Sequence, residues 1–139
     1  MKKILHLTLA VAWPVVSWAQ ADDTATVAEA VRAAKLLLTD ASVYHARVAE
    51  LCNDAQATGR LYETAENAVR KLDGWPRYYQ KNRSLDAFYS CRQSMVDVQI
   101  FAYACASGGY KGKAAKYLQS QWLKDSSSCE KAIGTSDSR

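Results

Sequence analysis

The sequence contains few of the residues that interrupt helices. Two prolines and six glycines among 139 residues exclude a collagen-like or low-complexity chain. Four cysteines are too few for a knottin-like scaffold held mainly by disulfides. No second long apolar run follows the first one, so we expect no transmembrane segment in the mature chain. With 49% apolar and 23% charged residues, the chain is predicted to fold around one hydrophobic core.

The N-terminal residues follow the order of a secretory signal peptide. Lys2 and Lys3 precede an apolar stretch from Ile4 to Val16, and small residues follow at Ala19 and Ala21. The apolar stretch is shorter than the ~20 residues that a membrane-spanning helix needs. We therefore expect cleavage after Ala21, with Ala19 as the alternative, so that residues 1–21 are removed and the mature protein is periplasmic or secreted.

Charge is distributed unevenly along the mature chain. Loss of Lys2 and Lys3 leaves 16 basic and 14 acidic residues, a net charge of +2. Residues 22–75 hold six basic and nine acidic residues, whereas residues 76–139 hold ten and five. The basic C-terminal half suits an acidic partner or an anionic envelope polymer, although ordinary surface variation explains it as well. We expect no nucleic-acid partner for an exported chain of such modest charge.

Apolar residues recur at steps of three and four along most of the mature chain, which predicts an all-α fold. Thr26 and Glu29 form a capping-box pattern that starts the first helix near Val27. The periodicity continues to Leu72, which favours one long helix. Gly59 leaves two alternatives open, a kink in that helix or a break into two helices.

Two further helices are predicted after a linker over residues 73–84. They span about residues 85–106 and about residues 111–124, and a run of serines is expected to loosen the second of them. The predicted fold is a small up-down helical bundle with one long N-terminal helix. It forms a single domain over residues 22–133, and residues 134–139 are expected to be a disordered tail.

The four cysteines carry the strongest signal in the sequence. An exported chain is expected to pair them, and Cys91 and Cys105 lie about 21 Å apart on one predicted helix, too far to bond. In an antiparallel helix pair, the numbers of two residues that face each other average to the number at the centre of the turn between the helices. Cys52 and Cys105 average 78.5, the centre of linker 73–84, and Cys91 and Cys129 average 110, the next turn. This predicts the disulfides Cys52–Cys105 and Cys91–Cys129. The rival pairing, Cys52–Cys91 with Cys105–Cys129, requires the first helix to fold back.

A short aromatic and basic segment lies between the first two predicted helices. It contains Trp75, Arg77, Tyr78, Tyr79 and Lys81. Trp, Tyr and Arg are enriched in binding hot spots, and inter-helix turns often carry function. The segment is therefore predicted to bind a protein partner. The alternative is that its aromatic side chains only cover the end of the core.

Other candidates for chemistry are weaker. His45 is the only histidine of the mature chain and lacks a nucleophile or ligand nearby in sequence. Glu50 with Asp54, and Glu63 with Glu66, place carboxylates on one helix face, a pattern also used in glycoside hydrolysis. No C-x-x-C or Glu-x-x-His motif is present. We predict no catalytic residue, no metal site and no cofactor.

The function that these patterns favour is that of a non-enzymatic protein-binding protein in the cell envelope. We expect an accessory component of a secretion or conjugation apparatus. One alternative is a periplasmic immunity or inhibitor protein that acts against a toxin or lytic enzyme. A second is an enzyme that acts on cell-wall sugars. A long amphipathic helix also allows a homodimer.

Overall fold

The structure is a computed structural model that describes residues 26–75 and 83–138. The predicted signal peptide, residues 1–21, lies outside this range. Five helices are described: α1 (Val27–Leu51), α2 (Thr58–Asp73), α3 (Arg83–Asp86), α4 (Tyr89–Ala106) and α5 (Gly112–Asp137). The four long helices pack as an up-down bundle, which confirms the predicted all-α fold; its N-terminal helix has 25 residues and ends at Leu51 rather than at Leu72.

The start of α1 follows the predicted capping box. The Thr26 hydroxyl accepts a hydrogen bond from the Glu29 amide at 3.2 Å, and the Glu29 carboxylate accepts one from the Thr26 amide at 2.8 Å. These two bonds satisfy two of the amide groups that have no partner within the first helical turn. The Thr26 bonds also lower the pKa of Glu29. The predicted start at Val27 is therefore confirmed.

The first predicted helix is in fact two helices, and the chain reverses between them at Cys52–Ala57 rather than at Gly59. Lys71 of α2 forms an ion pair with Asp40 of α1 at 2.7 Å. One continuous helix would separate these two residues by about 46 Å. Helices α1 and α2 therefore form an antiparallel hairpin.

The reversal has a local cause in the sequence. The Asp54 carboxylate accepts hydrogen bonds from the Gln56 amide at 2.9 Å and from Arg60 at 2.8 Å, which is the geometry of an Asx turn. Ala57 is fully buried directly before α2. The turn thus supplies alternative partners for the backbone and anchors the start of the next helix.

The other helix boundaries differ from the sequence prediction in two places. The second predicted helix is divided into α3 and α4 by a turn at residues 87–88, with Phe88 1% exposed against the core. Helix α5 continues to Asp137, through the serine run and most of the expected tail. Ser126 and Ser128 donate to the carbonyls of Trp122 and Lys124, four residues earlier, so they stay within helical geometry.

Ile133 and Asp137 explain why the C-terminal residues stay helical. Ile133 is 9% exposed in the core, and Asp137 forms an ion pair with Lys35 of α1 at 2.6 Å. Neither contact follows from local sequence, because both depend on α1 lying antiparallel to α5. The expectation of a tail from residue 134 therefore differs from the structure, in which the helix runs through Asp137.

Both predicted disulfides are confirmed. Cys52–Cys105 joins the end of α1 to the end of α4 with Cα atoms 5.1 Å apart, and Cys91–Cys129 joins α4 to α5 at 4.7 Å. All four cysteines are thereby paired. Such bonds are typical of proteins that mature outside the reducing cytosol. Within the described part of the chain, none of the helices combines the length and hydropathy needed to cross a membrane.

The core consists of two clusters, one at each end of the bundle. The larger cluster lies where α1 and α4 begin and includes Leu37, Trp75, Phe88, Met95 and Ile133. The smaller cluster lies where α1 and α4 end and where α2 begins, around Leu51, Leu61 and Phe101. Each cluster is crossed by one disulfide, so the covalent links and the apolar contacts hold the same helix ends together.

We expect removal of either disulfide to destabilise the bundle substantially. The bonds close loops of 53 and 38 residues, and the chain-entropy relation gives each a contribution of about 4 kcal/mol. Urea denaturation of Cys52→Ala/Cys105→Ala and of Cys91→Ala/Cys129→Ala, compared with the oxidised protein, measures each loss. A loss below about 1 kcal/mol for both variants would show that the core alone holds the fold.

Candidate functional site

The structure places the first residue of the predicted binding segment in the core. Trp75 directly follows α2, donates its backbone amide to the Leu72 carbonyl at 3.1 Å and is only 5% exposed. This position agrees with the alternative that Trp75 covers the end of the core. Arg77, Tyr78, Tyr79 and Lys81 lie outside the described residues, and their binding role stays a prediction.

A groove between α1 and α2 lies beside Trp75. It has a volume of about 220 Å³ and a mainly apolar lining, to which Asp40, Arg70 and Lys71 add a charged wall. Its lining combines α1 residues with the C-terminal end of α2: Ala33, Leu36, Leu37, Asp40, Arg70, Lys71, Gly74 and Trp75. The groove exists because α2 folds back on α1. It also lies where the chain enters the predicted binding segment, and this makes it the candidate functional site.

The charged wall of the groove is held by side-chain contacts. Lys71 and Asp40 form the ion pair that links the two helices, and the hydrogen bond to Asp40 raises the pKa of Lys71. The Arg70 guanidinium donates to the Asn67 side chain on its own helix. Asp40 neutralises the charge of Lys71. The contact of Arg70 with Asn67 is with a neutral amide, so this contact leaves the positive charge of the guanidinium at the rim of the groove.

Two exposed aliphatic residues lie on one face of α1, and the first of them, Leu36, lines the groove. Leu36 is 62% exposed and Val43 is 60% exposed. Seven residues separate them, so they lie two turns apart on the same face, about 10 Å along the helix axis. Sequence reasoning missed both, because they lie off the apolar stripe that was assigned to the core. The sequence signal that could have identified Leu36 and Val43 was their position off this stripe.

The predicted carboxylate pairs are not assembled into a site with a second functional group. Asp54 lies in the turn after α1, where its bonds to Gln56 and Arg60 shape the chain reversal. Glu50, Glu63 and Glu66 are exposed on helix surfaces. The pairing of Glu50 with Asp54 on one helix face does not occur, because α1 ends at Leu51.

His45 is part of an aromatic cluster between α1, α4 and α5. Its imidazole stacks on the Trp122 ring with centroids 4.2 Å apart, and the Phe101 ring lies 5.1 Å away. Partial burial lowers the pKa of His45, which favours the neutral ring at neutral pH. Phe101 also contacts Tyr110 at 4.6 Å. The imidazole therefore serves as a packing group between three helices.

Asp97 is a buried acid that sequence reasoning did not single out. It lies on α4 and is 8% exposed, and its side chain hydrogen-bonds with that of Asp125 on α5. The available signal was an acidic residue flanked directly by Val96 and Val98. No cluster of three or more His, Cys, Asp or Glu side chains suited to a metal ion occurs within residues 26–75 and 83–138.

Several basic residues of the C-terminal half share one face of α5. Lys113, Lys116, Lys124 and Lys131 are all exposed, and their spacing places them on the solvent side of the helix. They extend over eighteen residues, or about 27 Å of helix. Four of the ten basic residues of the C-terminal half thus form an exposed lysine face on α5.

Comparison with protein-family models, with curated proteins and with solved structures gives no match for this chain. Its functional interpretation therefore depends on its own surfaces.

The burial of Trp75 gives a direct test of its role. We expect Trp75→Ala to lower the free energy of unfolding by about 3–5 kcal/mol, because it leaves a cavity in the larger core cluster. The matched control is Tyr117→Ala, since Tyr117 is 62% exposed and its removal should change stability by less than about 0.5 kcal/mol. Urea denaturation measures both changes. Equal stability of the two variants would contradict the core position of Trp75.

Proposed function

We propose that this chain is an exported, non-enzymatic helical protein that binds a protein partner in the cell envelope. In this proposal it acts as an accessory component of a secretion or conjugation apparatus. The observation that supports it best is the α1–α2 groove. Exposed Leu36 lines that groove, which borders the start of the aromatic and basic segment, and exposed Val43 lies two turns further along the same face of α1.

The composition of this surface suits protein recognition. Interfaces typically have an apolar centre that becomes fully buried, with polar groups and arginine around it. Leu36 and Val43 supply exposed apolar area, and Arg70 supplies the guanidinium at the rim. An amphipathic helix or an extended apolar segment with acidic residues at its edge would match this arrangement.

The rigidity of the surface also supports a binding role. The Lys71–Asp40 ion pair bridges the two helices beside the groove, and the buried Leu37 and Trp75 anchor its lining in the core. A surface that is already ordered loses less conformational entropy when a partner binds. An accessory subunit of a larger assembly benefits from such a preformed surface, and so does an inhibitor.

The alternatives make different predictions about the partner. An immunity or inhibitor protein would bind one toxin or lytic enzyme and block its activity. A wall-active enzyme would depend on carboxylates such as Glu63 and Glu66, which lie exposed on α2. Asp54 has a structural explanation in the turn, which weakens the enzymatic reading of Glu50 with Asp54.

Site-specific photo-crosslinking tests the proposal and identifies the partner. We expect a benzophenone amino acid at position 36 to give one discrete adduct with an envelope protein in intact cells. The matched control is position 123, because Leu123 is 57% exposed on α5, away from the groove. Mass spectrometry of the adduct distinguishes a subunit of a membrane assembly from a toxin or lytic enzyme.

Three outcomes of this experiment would contradict the proposal. They are no adduct at position 36, the same adducts at both positions, and an adduct only with a second copy of this chain. The last result would replace the partner by a homodimer.

Affinity measurements with the identified partner give the matching quantitative test. Leu36→Glu/Val43→Glu should weaken binding about thirtyfold, or ~2 kcal/mol, because it places charge in the apolar part of the interface. Leu123→Glu should leave the affinity unchanged. Isothermal titration calorimetry measures both, and circular dichroism verifies that the variants are folded.

A further inference from the structure

Asp97 is unusual among the buried side chains because it is acidic. It lies near the middle of α4 and is only 8% exposed. One of its carboxyl oxygens, Oδ2, is buried without a hydrogen-bond partner among the described residues. A buried polar atom of this kind destabilises the folded protein unless it is neutralised or finds a partner.

The charged group that acts most strongly on Asp97 is a second carboxyl. Asp125 of α5 shares a side-chain hydrogen bond with Asp97. Two ionised carboxylates offer only acceptors, so this hydrogen bond requires a proton on one of them. Burial, followed by the charge and the hydrogen bond of Asp125, raises the pKa of Asp97 from 3.8 to about 7. Lys124, the neighbour of Asp125, opposes this shift.

The contacts that helices α1 and α2 make in this region involve ring side chains. Helix α1 presents His45, which stacks on Trp122, one turn before Ser126 on α5. Helix α2 packs on another side of α4, where Tyr62 meets Tyr103 at a centroid distance of 6.0 Å. Lys124 and Asp125 are therefore the charged groups that α5 presents to Asp97.

The position of the pair along α5 matters mechanically. The Cys91–Cys129 disulfide lies six residues before Asp97 on α4 and four residues after Asp125 on α5. Beyond the pair, towards the turn, α5 contributes only partly buried side chains such as Trp122, because its two buried residues, Cys129 and Ile133, both lie in its C-terminal half. Gly108 and Gly112, both with positive φ, flank the connection to α4.

We propose that a proton shared between Asp97 and Asp125 latches α5 to α4. Its loss releases the N-terminal half of α5, residues 112–124, while the Cys91–Cys129 disulfide keeps the C-terminal half in place. The contacts given up are the partly buried apolar ones of this half, chiefly the stack of Trp122 on His45. The released state therefore uncovers the aromatic cluster between α1, α4 and α5.

The direction of the pH effect follows from the raised pKa. Between pH 3.8 and about pH 7, Asp97 keeps its proton in the folded state, whereas in the unfolded state it has already lost this proton. The latch therefore stabilises the fold fully below pH 3.8, and this stabilisation is lost as the pH rises through about 7. Between pH 6 and pH 8 the ratio of protonated to ionised Asp97 changes about a hundredfold.

Hydrogen exchange read by mass spectrometry tests this latch in the oxidised protein. Protection factors, which correct for the intrinsic pH dependence of exchange, are compared at pH 6 and pH 8. We expect protection of residues 112–124 to fall about tenfold at pH 8, with α1 and residues 129–137 unchanged. Asp97→Asn should abolish the difference, because its amide donates to Asp125 at both pH values.

Two further variants complete the test. Asp125→Asn should also remove the pH difference, and it serves in place of Asp97→Asn if that variant does not fold. Glu130→Gln is the matched control, because Glu130 is an exposed acid on the same helix and the variant should behave as the parent protein. Protection that is independent of pH, protection lost equally from all helices, or an unchanged pH difference in both Asn variants would overturn the proposal.

Discussion

The structure depends on the covalent attachment of α4 at both of its ends. Cys91 connects the start of α4 to α5, and Cys105 connects its end to α1. The core alone offers limited apolar burial, because seven of its described buried residues are alanine: Ala30, Ala34, Ala41, Ala57, Ala65, Ala68 and Ala102. Alanine lets helices approach closely but removes little apolar area from water. The disulfides compensate by reducing the entropy of the unfolded chain.

The disulfide pairing was predictable from the sequence even though one of its premises was wrong. The argument assumed that Cys52 lies on a helix antiparallel to α4. In the structure α1 runs parallel to α4, and α2 is the antiparallel neighbour. The averaging of residue numbers still holds, because α2 and α4 have similar lengths and the turn at Cys52–Ala57 keeps Cys52 close to the start of α2. A turn that is short compared with the helices therefore preserves the relation.

The parts that were not predictable depend on contacts distant in sequence. The serine run near residue 126 has low helix propensity, yet Ile133 and the Lys35–Asp137 ion pair keep α5 helical beyond it. The chain reversal after Leu51 left a weak local signal in Asn53-Asp54, which is typical of turns. The apolar periodicity masked this signal, because it continues across the turn.

The sequence predicted only the part of the candidate site that lies at its edge, next to Trp75. The aromatic and basic segment drew attention to Trp75, but the groove beside it requires α2 to fold back on α1, which the sequence left open. Leu36 was not recognised as a surface residue, because a helix in the middle of a bundle and one at its edge have similar local patterns. Burial separates these cases only once the partners of each face are known.

The groove and the carboxyl pair lie on different helix pairs, and α1 connects them. Its outer face carries Leu36, which lines the groove, and Val43, while His45 on its inner side stacks on Trp122 of α5. Release of the N-terminal half of α5 would remove this stack but leave the Lys71–Asp40 pair and the Cys52–Cys105 disulfide in place. The groove would therefore keep its shape while a second surface opens. If both proposals hold, a constant binding surface is separated from one that responds to pH, because the Lys71–Asp40 contact and the Asp97–Asp125 pair do not share a helix interface.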